Sequence, residues 1–136
     1  MKWPWRRSGG GSSLRIDDPD VRPMVGSYDD ALASSTVLDD AGWTAGADGI
    51  LRHLLWLPAG QVAEVASLAG LEGYVRSEHV VDDDPAAPDG LRALLLARVQ
   101  RIDSVEVSRE RSRMASLVSR RGGQVGGWAV LGSSDR

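Results

Sequence analysis

The stretch DSVEVSRERSRMASLVSRRGGQVGGWAVL, residues 103–131, decides the fold. Asp103 with Glu106 three residues later has the spacing of a helix-starting capping box, with Asp in place of the usual Ser or Thr. Val107, Met114, Leu117 and Val118 then recur on one helical face, while Arg109, Arg113, Arg120 and Arg121 fall on the other. Gly122-Gly123 stops the helix, and Gln124 to Leu131 reads as a strand carrying Trp128, with Gly132 to Arg136 fraying. A capped helix that stops at a glycine pair and turns into a strand is the second half of a βαβ unit.

Working outward, Leu91 to Ile102 supplies the strand before that helix, and an earlier copy of the pattern runs from Ile50 to Val81. Ile50 to Leu57 is a near-continuous apolar strand. Pro58-Ala59-Gly60 opens a helix whose stripe is Val62, Val65, Ala66 and Ala69, Gly73 stops it, and Tyr74 to Val81 is a more polar strand. Asp82 to Gly90, with four aspartates and two prolines, is a turn or loop. Asp29 to Trp43 is expected to be a short amphipathic helix, with Ser27 as its N-cap and Gly42 as its C-cap. The predicted architecture is α+β: a ferredoxin-like split β-α-β, with a four-stranded antiparallel sheet, two helices on one face and an extra N-terminal helix. Its first and third strands (ILRHLLWL and LRALLLARVQRI) are the most apolar and belong at the centre, and the polar second and fourth belong at the edges.

The chain has 136 residues, enough for one domain. Residues 1–28 are rich in Gly, Ser, Pro and Asp and are read as a disordered tail, leaving 29–136 as a single domain. The tail's Trp3, Trp5, Lys2, Arg6 and Arg7 would support only weak adsorption to a membrane surface. With no cysteine, disulfides and Cys-based metal sites are excluded. No apolar run reaches the length of a membrane span, and no signal-peptide h-region is visible, so a cytoplasmic protein is expected. The net charge is −3. Residues 1–28 carry five basic and three acidic side chains (+2), so the remainder is −5, which argues against a nucleic-acid footprint.

No residue pattern points to catalysis, a cofactor or a metal. His53 lies in an apolar run with no Ser, Cys or Asp at motif spacing, and reads as structural. His79 beside Asp82, Asp83 and Asp84 lacks the alternating spacing of a calcium loop. Gly122, Gly123, Gly126 and Gly127 follow a helix C-terminus, where the dipole has the wrong sign for a phosphate cradle, so they are caps and bulges. Trp56 could stack an RNA base on an open sheet, with Arg92 and Arg98 as phosphate contacts. The third strand has no ring to continue such a platform, and Trp56 is expected under the Asp29–Trp43 helix or in a protein interface.

The segment Met114 to Trp128, ending in Gly-Gly-Gln-Val-Gly-Gly-Trp, resembles the close of the ribonuclease E inhibitor B family, regulators of ribonuclease E activity. Val37 to Gly42, Arg52 to Pro58 and Glu72 to Val75 are similar to that family's leading helix, first strand and helix-to-strand junction. The likeness spans about residues 35 to 132 at low identity; at Gln124-Val125-Gly126 the chain departs from the family's aromatic-acidic pair. The resemblance implies a non-enzymatic regulator that binds a ribonuclease or a degradosome-type scaffold, with Gly122, Gly123 and Trp128 as structural positions. Asp82, Asp83, Asp84 and Asp89 would then form a negative loop suited to an arginine-rich partner segment. An RNA-binding sheet face and a small dimeric effector-binding domain are the alternatives, and the oligomeric state is left open.

Overall fold

The computed structural model describes residues 14–78, 80–81 and 83–133. Five strands and three helices follow in the order β1 (Val21–Ser27), α1 (Ser34–Asp40), β2 (Asp48–Leu57), α2 (Val62–Gly70), β3 (Val75–Arg76), β4 (Arg92–Arg101), α3 (Ser104–Ser119) and β5 (Gln124–Ser133). All strand pairs are antiparallel, and the spatial order is β1-β5-β2-β4-β3. The two most apolar strands, β2 and β4, are neighbours at the centre, as their composition required.

Three expectations are corrected. The sheet has a fifth strand, and it lies in the stretch read as tail: Val21–Ser27 pairs with Trp128–Ser133. That strand makes β5 an interior strand rather than an edge, which is why Gly126 to Leu131 are buried throughout. The free edge beyond β5 is taken by β1, whose exposed Arg22 and Pro23 suit an edge. At the other edge β3 has two residues instead of eight, because the chain leaves the sheet after Ser77 N–H bonds to Leu95 O. The first helix is shorter than expected and starts at Ser34. Ser27 Oγ accepts from Asp29 N–H at 3.0 Å and so closes a turn rather than capping the helix. Gly42, at φ +71°, does end α1, with Gly42 N–H on Asp39 O and Trp43 N–H on Leu38 O.

Strand alternation divides the core between two faces. Leu55, Leu57, Leu94 and Leu96 meet Val65 and Ala69 of α2 and Met114 and Val118 of α3. Farther along the same face, Leu51, Trp128 and Val130 meet Leu38 of α1 and Val107 of α3. The opposite face carries Val21, Ile50, Ala97, Ala129 and Leu131, which pack at one end of the sheet with Leu14. Helix α3 begins as its sequence demands, with Asp103 Oδ1 accepting from Glu106 N–H at 2.9 Å. It ends at Gly122 (φ +77°), and Gly123 N–H returns to Val118 O.

Candidate functional site

Adjacent residues on β2, Arg52 and His53, point to opposite faces of the sheet, and each anchors a polar network with no exposure of its own. Arg52 meets Asp84, carried in by the β3–β4 loop, through two hydrogen bonds: Nη1 to Oδ2 at 2.8 Å and Nη2 to Oδ1 at 2.6 Å. Their side chains are 0% and 9% exposed. Asp84 also accepts from the Tyr28 hydroxyl at 2.7 Å and from Val81 N–H at 2.9 Å. Burial alone pushes the Asp84 carboxyl up, but the hydrogen bonds from Arg52, Val81 and Tyr28 outweigh it and hold it below its ordinary value. Burial, then the Asp84 carboxylate, pushes the Tyr28 phenol up to about 12.

On the helix face, His53 Nε2 lies 3.2 Å from the Tyr74 hydroxyl, which donates to Glu110 Oε1 at 2.8 Å. Since that hydroxyl spends its proton on Glu110, it accepts from His53, which fixes the neutral Nε2–H tautomer. Nδ1 has no hydrogen-bond partner among the described residues. Burial, reinforced by the charges of Arg98, Arg111 and Arg52, pushes the His53 pKa down to about 3. Burial and the bond to Glu110 raise the Tyr74 phenol. Arg98 lies over the Tyr74 ring at 4.5 Å and pairs with Glu110 Oε2 at 3.4 Å. This network ties β2, β4 and α3 to the start of β3.

Between α2 and α3 lies an open groove of about 540 Å³. Leu68, Ala69, Tyr74, Met114 and Leu117 are its apolar lining, and Glu72, Arg109, Arg113, Arg120 and Arg121 stand around it. Two ion pairs cross from one helix to the segment of the other: Arg113 to Glu72 at 2.9 Å and Arg121 to Glu64 at 3.2 Å. Partly exposed pairs of this kind contribute about 0–1 kcal/mol each, so they do not hold the groove shut. At the α2–β3 corner beside it, Leu71 is 82% exposed and Val75 49%.

The residues singled out in the sequence are not brought together. Asp83 and Asp89 are exposed on the β3–β4 loop, Asp84 is drawn inside by Arg52, and Asp82 and His79 lie outside the described residues. Trp56 is not under the N-terminal helix. It lies on the face away from the helices, against Gly126, where a Cβ would meet its ring atoms at 2.8 Å. Trp56 pairs with Ala93 across β4, so Arg92 and Arg98, at the alternate positions, point to the other face. The RNA platform that would combine these three side chains does not exist. Gly123 approaches β2 so closely that a Cβ would lie 2.6 Å from Trp56 O, and Trp128 is buried at 2% exposure. Tyr28, Tyr74 and Glu110 were not singled out, and Arg98 was read as a phosphate contact rather than as the partner of Tyr74 and Glu110. Glu110 carried the one available signal, a carboxylate three residues after Val107 and four before Met114 on the buried stripe.

No helix among the described residues is long and apolar enough to cross a membrane, and these residues hold no group of three or more potential metal ligands. No family model matches the chain, and no curated protein or solved structure matches it either.

Proposed function

We propose that the chain is a non-enzymatic regulatory module that binds another protein through the α2–α3 groove and the adjoining α2–β3 corner. The observation that carries this is a groove with an apolar lining, continued at its corner by a solvent-exposed aliphatic side chain, Leu71. Large apolar groups left in water beside a concave surface favour association, which removes them from solvent. The β2-α2-β3-β4-α3-β5 unit, in the order β5-β2-β4-β3, is read as ferredoxin-like, with β1 added at its edge. Together with the resemblance to the ribonuclease E inhibitor B family, this points to a ribonuclease or its scaffold as the partner. Asp83 and Asp89, still exposed, are available as a secondary contact for basic partner segments.

The test is calorimetric titration of the purified chain with a ribonuclease E-type endonuclease, alongside the rate at which that enzyme cleaves a fluorogenic RNA. Saturable binding that slows cleavage, and that weakens in a Leu71→Asp variant, is the expected result. Absence of binding together with an unchanged cleavage rate sinks the reading.

A further inference from the structure

We infer that the occupant of the α2–α3 groove is an acidic amphipathic helix of the partner; the inference rests on the protein-binding reading above. Arg109, Arg113 and Arg120 are spaced i, i+4 and i+11 on α3, which places them in one row along the groove. The row extends about 16 Å, the length of roughly three helical turns. The groove-lining set holds four arginines against one glutamate; with Glu106 and Glu64, which pair with Arg109 and Arg121, the net is +1 in a chain whose total is −3. The rest of the chain is therefore −4, and the groove is weakly positive on a negative body, which favours an anionic partner over a basic one.

The existing carboxylate partners do not remove this preference. Glu106, Glu72 and Glu64 each engage one arginine, at Arg109, Arg113 and Arg121, through partly exposed contacts that incoming carboxylates can exchange at little cost, while Arg113 also lies 3.9 Å from the buried Glu110 carboxylate. Arg120 makes no ion pair among the described residues. Below this row the lining is aliphatic and includes the adaptable thioether of Met114. Helical walls with an apolar floor suit a partner helix whose apolar positions recur at i, i+3, i+4 and i+7. A single-stranded RNA would find phosphate partners in the same row. The only ring in the lining is Tyr74, which is buried and already covered by Arg98, so no base could stack there.

The probe is a fluorescent peptide of about four helical turns, with Leu on one face and Glu and Ala on the others, titrated into the full chain by anisotropy. Saturable binding is expected, with an affinity that falls as salt is raised. Reversing two exposed charges, Arg109→Glu with Arg120→Glu, should weaken binding by roughly tenfold or more. A peptide with Lys for every Glu should fail on the natural chain and bind the reversed variant. A Leu117→Gln variant should weaken the acidic peptide independently of charge. Circular dichroism confirms that each variant is folded.

The inference is overturned if the acidic peptide does not bind, if the Lys peptide binds the natural chain equally well, or if a single-stranded oligonucleotide of matched charge displaces the acidic peptide. Its fate separates cleanly from that of the proposed function. Retained nuclease binding by the charge-reversed variant removes the groove assignment alone. Peptide binding without any nuclease binding removes the nuclease reading alone.

Discussion

Replacing Asp84 with Asn isolates the contact that pins the β3–β4 loop over the sheet. In the native chain the Arg52 guanidinium, fully buried, has its charge balanced by the Asp84 carboxylate through two hydrogen bonds. Asn keeps the shape of this partner but removes its charge from beside the buried guanidinium. Breaking a buried pair in this way costs about 3–5 kcal/mol, far more than the pair contributes relative to apolar residues. For a chain of this size that corresponds to a fall in melting temperature of roughly 10–20 °C. The assay is urea unfolding followed by the fluorescence of the buried Trp128. Asp89→Asn, on the same loop but exposed, should stay within about 0.5 kcal/mol of the natural chain. Adding Arg52→Met to Asp84→Asn removes the buried cation along with its lost counter-charge and should restore at least half of the loss. A single-variant cost below about 1 kcal/mol, equal to that of Asp89→Asn, would refute the reasoning, because it would mean that water reaches Arg52.

Other outcomes follow from the same coordinates. His53 takes up a proton near pH 6.5 when unfolded but only near pH 3 when folded, so between those values the unfolded chain binds more protons and stability falls as pH falls. The slope should approach about 1.4 kcal/mol per pH unit below pH 6, and denaturant titrations should show it vanish in His53→Gln. Asp84, with its lowered pKa, contributes stability that is present above its unfolded value of 3.8 and is lost as pH falls from there through its folded value, so its onset overlaps the acid end of the His53 window. Gly123→Ala forces a Cβ to within 2.6 Å of Trp56 O and 2.7 Å of Leu57 Cδ2, and should destabilise by about 1–3 kcal/mol in the same unfolding assay. Gly60→Ala, with nothing within 4 Å of its Cβ, is the neutral control.

Much of the fold was legible because its signals are local. The Asp103 cap, the Val107–Met114–Val118 stripe, the Gly122-Gly123 stop and the apolar excess of β2 and β4 each lie within one element. Strand β1 was not legible: VRPMVGS contains proline and glycine, lacks alternation, and is a strand only because β5 offers it a free edge. The same pairing made the glycine-rich β5 interior, against the expectation that glycine marks an edge. Tyr74 to Val81 looked like one strand because nothing local records that the chain turns away after Arg76 to lay Asp84 over Arg52. That Asp84 enters the sheet face depends on that loop path, not on composition. The His53–Tyr74–Glu110 chain joins residues 21 and 36 positions apart, beyond the reach of any spacing rule.

The most direct measurement is a map of backbone amide chemical shifts as the acidic helical peptide is titrated into the isotopically labelled chain. The account predicts that perturbations concentrate on Leu68 to Glu72 and on Arg109 to Arg121, with β1 and the Trp56 end of β2 unchanged. Perturbations centred on β1, or on Trp56 and its neighbours across the sheet, would contradict it.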